Sequence, residues 1–394
     1  MNPKHITEKK IKQKTAIIIL AYADYESLEL ALATHARFTV DSGVPIYILQ
    51  NGRGTYDTER TYSVGRRYES LYPNTVRVIT HIPPQKPYLS IKQLLHDDIF
   101  SQYEYIIKLD DDVMVLTPNW VDQLIDCYLK SYEKDSDNLA YVTSLVNNNP
   151  FGFKTLIESC EELSREYFEK LARPHLIGCA PDDNYNPYQI VSKDTVFGGG
   201  FGTIWRLPYV ARWLHEKTTM NPSYYIDSVK KLGTVEVNAK ERYSINCMLF
   251  EKSLWDDIGD GGTDDEHMLH VYCLLKRKRI FANLAVPMIH IAFYSQREEV
   301  RDMLPQIRNV FTDFLALPFP ISLCNDRLME IENRLRFMES NQVRFVENSR
   351  MHFEPAERHK TLPQLLRGGV QCYREHGFKY TFNRGLVHLH LKKK

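Results

Sequence analysis

The chain lacks long hydrophobic runs, and this absence limits where it can act. The longest early apolar run, residues 16–23, has eight residues, whereas a membrane-spanning helix needs about 20. The run follows a basic start, but no small-residue cleavage pattern comes after it, so we interpret it as a buried strand and not as a signal peptide. We therefore expect no membrane-spanning helix.

Paired cysteines and an excess of one charge are also missing. The seven cysteines are an odd, scattered set without a C-x-x-C pair, which favours reduced thiols in the cytosol over a disulfide framework or a zinc site. Fifty basic and fifty acidic residues cancel, so no overall field indicates nucleic acid as a partner. The G-x-x-x-x-G-K-[ST] loop is absent, which argues against a phosphotransferase.

What is present is an alternation of β-branched runs and amphipathic stretches over the first three hundred residues. This alternation predicts an α/β fold, with a parallel or mixed sheet flanked by helices. A helix capped by Asp24, a helix over 89–100 and a helix opened by Thr117-Pro118 are expected between the strands. The predicted strands are 15–22, 44–51, 75–81, 103–110 and 139–146.

Three adjacent carboxylates, Asp110, Asp111 and Asp112, follow the fourth predicted strand directly. Like charges at one point repel one another, and aspartate is a poor strand former, so a bound cation would explain the triplet better than structure alone. Open α/β sheets bind ligands beyond the carboxyl ends of their strands, and Mg2+ and Mn2+ take oxygen ligands there. The alternative is a solvated turn whose acids cap the next helix.

The segment "IIKLDDDVMVLTPNW" resembles the D-x-D segment of GT-A glycosyltransferases, especially the inverting family 2 group. The resemblance covers roughly residues 15–300 and includes "AIIILAYADYESLELAL" and "YILQNGRGTYDTE". It implies a GT-A type, Rossmann-like fold, a nucleotide diphosphate sugar as donor, with UDP-sugars favoured, and Mn2+ or Mg2+ as cofactor. In this interpretation Asp110 and Asp112 bind the metal. The residues expected at the nucleotide sugar are Tyr22, Asp24, Asn51, Lys92, Asp110, Asp111, Gly199 and Gly200.

A general base is expected near residues 263–266, where Thr263-x-x-Glu266 is typical of a capping box that opens a helix. Glu266 would then be engaged with the backbone of the cap, which leaves Asp264 and Asp265 in the first turn. The resemblance implies that Asp265 is the base and Asp264 its acidic neighbour. Acids at a helix start are also favoured by the helix dipole, so a purely structural role stays open.

Two further stretches are candidates for the same site. The glycine-rich "VFGGGFGTIWR", which contains Gly199 and Gly200, resembles the donor-sugar and acceptor wall of these enzymes; a mobile loop is the alternative. His290 lies in the apolar strand candidate 286–297, either as a third metal ligand or as a satisfied core histidine. Residues 146–195, with a helical stretch at 156–172, are expected to be an acceptor-side insertion.

Beyond residue 300 the sequence becomes helical and increasingly basic. The predicted organisation is an N-terminal tail (1–14), a catalytic domain (15–300) and a helical C-terminal extension (301–394). From residue 358 onward basic side chains alternate with apolar ones, so this tail is a candidate for contact with an anionic membrane surface. We expect a cytoplasmic protein, peripheral at the inner face of the cell membrane, and a homodimer is a candidate assembly.

These observations predict a metal-dependent inverting glycosyltransferase that acts on a hydroxyl of a glycan or lipid-linked acceptor. A retaining transferase on the same fold would not need Asp265 as a base. A non-catalytic module that binds a sugar nucleotide or glycan is the alternative from another class.

Overall fold

The structure is a computed structural model, and it describes residues 7–171, 208–237, 245–259, 265–291, 296 and 300–316. All of them belong to the first of the two units into which the chain divides, Met1–Ile321. Within the described part, the strands are β1 (Thr15–Ala21), β2 (Ile46–Gln50), β3 (Val76–Ile79), β4 (Tyr105–Asp110), β5 (Val113–Val115), β6 (Leu139–Val146), β7 (Thr234–Val237), β8 (Cys247–Glu251) and β9 (Arg279–His290).

The strands form one mixed sheet in the order β3-β2-β1-β4-β8-β6-β9-β5, and β7 pairs with the first part of β9. Strands β1 to β4 are mutually parallel. Strand β8 runs antiparallel to β4 and to β6, and β6 runs parallel to β9. Strands β1, β2, β4, β6 and β9 therefore end at the same edge of the sheet, which we call the carboxyl edge.

Helices cover both faces of this sheet. The described α-helices are α1 (Glu8–Gln13), α2 (Tyr25–Phe38), α3 (Tyr56–Leu71), α4 (Pro87–Leu95), α5 (Trp120–Lys134), α6 (Pro150–Ser159), α7 (Glu161–Glu166), α8 (Pro208–Lys217), α9 (Pro222–Val229), α10 (Leu254–Asp257), α11 (Asp265–Leu275) and α12 (Leu304–Leu315). Short 3-10 turns occupy Val40–Ser42 and Asp98–Phe100, and a π-turn occupies Tyr167–Leu171. The predicted α/β class, with a mixed sheet flanked by helices, is confirmed.

The strands of the parallel half, β1 to β4, form where the sequence predicts them. Alternate residues of β1 and β4 face opposite sides of the sheet, and both sides are buried, so nearly every position is apolar. Asp24 caps α2 as predicted, because its Oδ1 accepts a hydrogen bond from the Ser27 amide at 3.1 Å. The helix expected over 89–100 starts two residues earlier and ends sooner: α4 ends at Leu95, and a 3-10 turn capped by Asp97 follows.

The predicted cap of α5 is wrong. The helix begins at Trp120 after Asn119, whose φ of 59° places it in the left-handed region, and the Thr117 hydroxyl is buried without a hydrogen-bond partner. Strand β5 keeps the chain in the sheet up to Val115, so the turn needs additional residues before a helix can start. A short polar residue such as asparagine tolerates this conformation better than most.

Strand β6 ends against the first turn of α6, and Gly152 makes this approach feasible. A Cβ added at Gly152 would lie 1.7 Å from the carbonyl oxygen of Val146, so no side chain fits there. The helical stretch expected at 156–172 is present, but it is interrupted at Cys160 between α6 and α7. The role of residues 146–195 as an acceptor-side insertion stays a prediction.

Helix α12 packs on α2 through apolar and charged contacts. The ring centroids of Phe38 and Phe314 are 6.0 Å apart, and Arg308 lies 3.4 Å from a carboxylate oxygen of Glu29. The division at residue 300 and the basic tail from residue 358 stay predictions, since 317–394 lie outside the described residues. None of the described helices has the length and hydrophobicity that crossing a membrane requires.

Candidate metal and nucleotide-sugar site

The carboxyl edge gathers most of the predicted site residues that the structure describes. Tyr22 follows β1, Asn51 follows β2, Asp110 ends β4, and His290 ends β9. Asn147 follows β6 at the same edge and adds a further polar group. The prediction that ligand-binding residues lie beyond the carboxyl ends of the strands therefore matches this arrangement.

Asp112 and His290 are brought together by the pairing of β5 with β9. Val113 lies opposite His290 in this antiparallel ladder, and the Ile291 amide donates to the Asp112 carbonyl at 3.1 Å. The Nε2 atom of His290 lies 3.2 Å from Oδ2 of Asp112, and both side chains are buried. With Asp110 they form a group whose ligand atoms all lie within 4.8 Å of one another.

Asp110 is held by two donors from different elements. The ammonium of Lys108, two residues earlier on the same strand, donates to Oδ1, and the Asn246 side-chain amide donates to Oδ2 at 2.8 Å. The side chain of Asp110 is 27% exposed, whereas those of His290 and Asp112 are 6% and 9% exposed. The cluster therefore opens to solvent on the Asp110 side.

Asp111 points back to the end of β1. Its Oδ2 accepts a hydrogen bond from the Tyr22 amide at 3.0 Å. Burial raises the pKa of the Asp111 carboxyl well above its ordinary value, and the charge of Asp112 adds to this rise. The Asp111 carboxyl is therefore protonated more readily than an ordinary aspartate.

The ring of His290 has a defined orientation. Its Nδ1 lies 3.1 Å from the Asn148 carbonyl oxygen, and its backbone amide donates to the Asn147 side chain at 3.0 Å. A carbonyl only accepts hydrogen bonds, so Nδ1 carries the proton, and in the neutral ring the lone pair is then on Nε2, which faces Asp112. This is the arrangement in which histidine binds metal ions in proteins.

A buried network supports Asn148 in turn. Its side-chain amide donates to the Gln296 side chain at 2.8 Å and to the Ile291 carbonyl at 3.2 Å, and it lies 3.4 Å from Nε2 of His215. Burial, together with the proximity of His290, lowers the pKa of His215 to about 4, so His215 is neutral at physiological pH. A neutral neighbour avoids a second positive charge beside the candidate ion.

Burial alone would lower the pKa of His290, but the charge and hydrogen bond of Asp112 outweigh it, so the pKa is raised. Without an ion, the raised pKa favours a protonated ring, which donates a charge-assisted hydrogen bond from Nε2 to Asp112. A divalent cation would compete with this proton for the same nitrogen.

The donor set fits a divalent cation of the Mn2+ type. Two carboxylates supply hard oxygen ligands, and an oriented imidazole adds a nitrogen ligand. The open side next to Asp110 leaves room for ligands from a substrate. Asp110, Asp112 and His290 are the residues that would hold the ion.

The other predicted nucleotide ligands have different surroundings. Tyr22 is 59% exposed. The side-chain amide of Asn51 instead holds the segment before α4, because its Nδ2 donates to the Gln85 carbonyl at 2.9 Å and its Oδ1 accepts from Ser90 at 2.6 Å. Asp24 is the cap of α2, and Lys92 is half-buried within α4. Their contacts with a nucleotide stay predictions.

The remaining predicted residues lie largely outside the described part. Gly199, Gly200 and Asp264 are not described, and Asp265 is described only as the first residue of α11. Because residues 260–264 lie outside the described part, the predicted capping register and the general base both stay predictions.

Sequence interpretation missed four residues around the cluster: Lys108, Asn246, Asn147 and Asn148. A lysine within an apolar strand is a visible signal, because lysine is rarely buried without a partner. The Asn-Asn-Asn run carries no such signal, since asparagine is also typical of turns.

No protein-family model matches this chain, and no curated protein matches it. It resembles the solved structure of a mannosyltransferase from Pyrobaculum calidifontis in complex with GDP-Man and Mn2+, with 12% identity, 96% of this chain and 88% of that chain covered, and a TM-score of 0.39. Glucosyl-3-phosphoglycerate synthase from Mycobacterium tuberculosis, in complex with Mn2+, UDP and phosphoglyceric acid, has 13% identity, 81% and 86% coverage, and a TM-score of 0.35.

A third similar solved structure is not named as a glycosyltransferase. It is 4-diphosphocytidyl-2C-methyl-D-erythritol synthase from Anaerococcus prevotii, with 13% identity, 75% of this chain and 97% of that chain covered, and a TM-score of 0.36. The identities and TM-scores are too low to transfer an activity to this chain.

Proposed function

We propose that the protein is a metal-dependent glycosyltransferase that moves a sugar from a nucleotide diphosphate sugar to a hydroxyl of a glycan or lipid-linked acceptor, with inversion. The observation that supports this proposal is the group of Asp110, Asp112 and His290 at the carboxyl edge. The sequence around the two carboxylates resembles the D-x-D segment of GT-A enzymes, and His290 supplies a third ligand from a distant strand.

The residues of the site have different roles in binding. Asp110 and Asp112 would supply negative charge to a bound ion, and His290 would add a neutral nitrogen ligand whose ring the Asn148 carbonyl orients. A bound divalent cation would offset the charge that grows on a departing nucleotide diphosphate. Asp111 ties the end of β1 to this strand, which keeps the exposed Tyr22 beside the cluster.

Inversion needs a base on the acceptor side, and Asp265 at the start of α11 is our candidate. A carboxylate there would accept the proton of the attacking hydroxyl. A retaining enzyme would not need this base, so the stereochemistry of the product distinguishes the two mechanisms.

The first experiment is a thermal unfolding screen of UDP-, GDP- and CDP-sugars with and without MnCl2. A ligand that binds only the folded state stabilises it, by about 2.7 kcal/mol at one hundred times its Kd. We expect one nucleotide sugar to raise the melting temperature only when Mn2+ is present, and Asp112→Ala to abolish this effect. The matched activity assay measures nucleoside diphosphate release with candidate acceptors.

Two results would contradict the proposal. Stabilisation by a nucleotide sugar that is equal with Mn2+ and with chelator would remove the metal role. Release of pyrophosphate from a nucleoside triphosphate and a sugar phosphate, without release of nucleoside diphosphate from any nucleotide sugar, would identify a nucleotidyltransferase instead.

A further inference from the structure

Lys108 is a buried cation directly beneath the candidate metal site. Its side chain is 2% exposed, and in β4 it lies between Ile18 of β1 and Met248 of β8. A buried ammonium is costly unless it is paired and hydrogen-bonded. Among the described residues it donates to Asp110, a proposed metal ligand, and the Ile245 carbonyl lies 3.5 Å from its Nζ.

Packing alone does not require a lysine at this position. The neighbouring residues on both adjacent strands are apolar, so an unbranched apolar side chain of similar length would fill the space without a desolvation cost. Asp110 would also keep hydrogen-bond partners without Lys108, because its carboxylate is partly exposed to solvent and accepts from Asn246. The pair therefore points to a role in the charge balance of the site.

We propose that Lys108 is a built-in counter-ion of the metal site, which holds Asp110 in the metal-free protein and weakens the binding of a divalent cation on its own. This inference rests on the proposed metal site. A cation beside the ligands repels a dication and competes for the same carboxylate oxygen. The negative charges of a nucleotide diphosphate offset this repulsion, so Mn2+ and the nucleotide bind more tightly together than separately.

The role is one of positioning and charge, since a buried Lys108 is not placed to contact the substrate. It predicts positive coupling between Mn2+ and the nucleotide, and such coupling is reciprocal by thermodynamic necessity. Removing the charge should strengthen Mn2+ binding in the absence of nucleotide and reduce the coupling. A residue with a merely structural role would not change the coupling.

The test is a calorimetric titration of MnCl2 into wild-type protein, Lys108→Met and Lys108→Arg, each with and without uridine diphosphate. We expect Lys108→Met to bind Mn2+ at least about tenfold more tightly than wild type without the nucleotide, because a unit charge and a dication a few ångströms apart repel appreciably even in water. Uridine diphosphate should then enhance Mn2+ binding less than in wild type. Lys108→Arg keeps the charge and should retain the coupling.

Asn246→Ala is the matched control for orientation. It removes the other hydrogen bond to Asp110 without changing any charge, so Mn2+ binding should become weaker and not tighter. If Lys108→Met binds Mn2+ as weakly as Asn246→Ala, Lys108 acts through orientation alone, and the counter-ion proposal is wrong.

A folding defect would also be informative. Should Lys108→Met and the more polar Lys108→Gln fold only when MnCl2 is added, the ion replaces the lost charge, as proposed. Failure of both variants to fold even with MnCl2 would overturn the proposal, because the fold itself would then require the lysine. If wild-type protein binds no Mn2+ at all, the proposed metal site fails first, which is a distinct outcome.

Discussion

The two halves of the sheet contribute to the same site in different ways. The parallel half, β3-β2-β1-β4, supplies three carboxylates that are adjacent in the sequence. The mixed half, formed by β5 to β9, supplies His290, and the carbonyl that orients its ring lies 142 residues away along the chain. In the parallel half a single turn carries all the candidate ligands. In the mixed half the candidate ligand His290 is oriented by a segment that is distant along the chain.

The polar side chains of the two halves differ accordingly. Asn51 in the parallel half follows β2 and donates to the Gln85 carbonyl in the segment before α4, rather than to the metal cluster. Asn147 and Asn148 in the mixed half are fully buried. The Asn147 side chain accepts from the His290 amide, and the Asn148 side chain donates to Ile291 and Gln296 while its backbone carbonyl accepts from the His290 ring. The same amino acid thus has a structural task in one half and supports a candidate ligand in the other.

The largest loss of activity is expected for Asp112, the carboxylate that contacts His290 of the mixed half. Asp112→Ala removes a carboxylate that contacts His290, so nucleoside diphosphate release should fall by at least about 10³-fold, since metal stabilisation of the transition state amounts to several kcal/mol. The metal-free protein should stay folded, because like-charge repulsion with Asp111 decreases. Activity assays and thermal unfolding with chelator check both statements, and full activity in this variant would remove Asp112 from the metal site.

The next effect tests whether the mixed half also supplies the base. Asp265→Asn keeps the shape of the side chain but cannot accept the acceptor proton, so transfer should fall by about 10²- to 10⁴-fold. Donor binding, measured by thermal unfolding with the nucleotide sugar, should hardly change. Glu266→Gln is the control, because glutamine also serves in a capping box. Normal turnover in Asp265→Asn with an inactive Asp264→Asn would shift the base by one position.

A matched pair of substitutions sharpens the comparison between the halves. Asn148→Ala keeps the backbone carbonyl that accepts from His290 but removes the side-chain hydrogen bonds to Ile291 and Gln296 that hold this carbonyl in place. Mn2+ binding should therefore weaken by about 10- to 100-fold, the usual size of effect when the support of a metal-binding histidine is lost. Asn51→Ala should leave Mn2+ binding unchanged but cost about 1 to 3 kcal/mol of stability, because the buried Ser90 hydroxyl and the Gln85 backbone lose their hydrogen-bond partner. Calorimetry and denaturant unfolding measure the two quantities. Equal Mn2+ binding in both variants would contradict the distinction.

The pH dependence of stability compares two buried histidines on different helices, His35 of α2 and His215 of α8. Burial lowers the pKa of His35 to about 3 and that of His215 to about 4. Unfolded histidine binds a proton near pH 6.5, so the stability present above that pH is lost as the pH falls towards 4, by roughly 2 to 3 kcal/mol for each residue. The free energy of unfolding, measured by urea between pH 7 and 4, checks this loss.

A variant isolates the contribution of His35. His35→Gln does not titrate in this range, so its free energy of unfolding should depend less steeply on pH than that of wild type, although it starts lower because the contact with Thr39 changes. An identical slope in both proteins would show that His35 is accessible to protons in the folded state.

Much of the parallel half could be predicted from the sequence. The five predicted strands lie within one or two residues of β1, β2, β3, β4 and β6, because continuous β-branched runs are typical of strands buried on both faces. The cap of α2 was equally visible at Asp24. The start of α5 was not, since a favoured Thr-Pro pair was overridden by the pairing of β5 with β9.

What the sequence by itself determined is local: the strands, the class of fold and the three carboxylates that follow β4, since neighbouring residues specify these through hydrophobic pattern and charge. Only the tertiary structure decided that His290 faces Asp112, that Asn148 orients it and that Lys108 is buried beneath Asp110. These contacts depend on strand pairing and side-chain burial, which bring together residues whose separation along the chain gives no local signal.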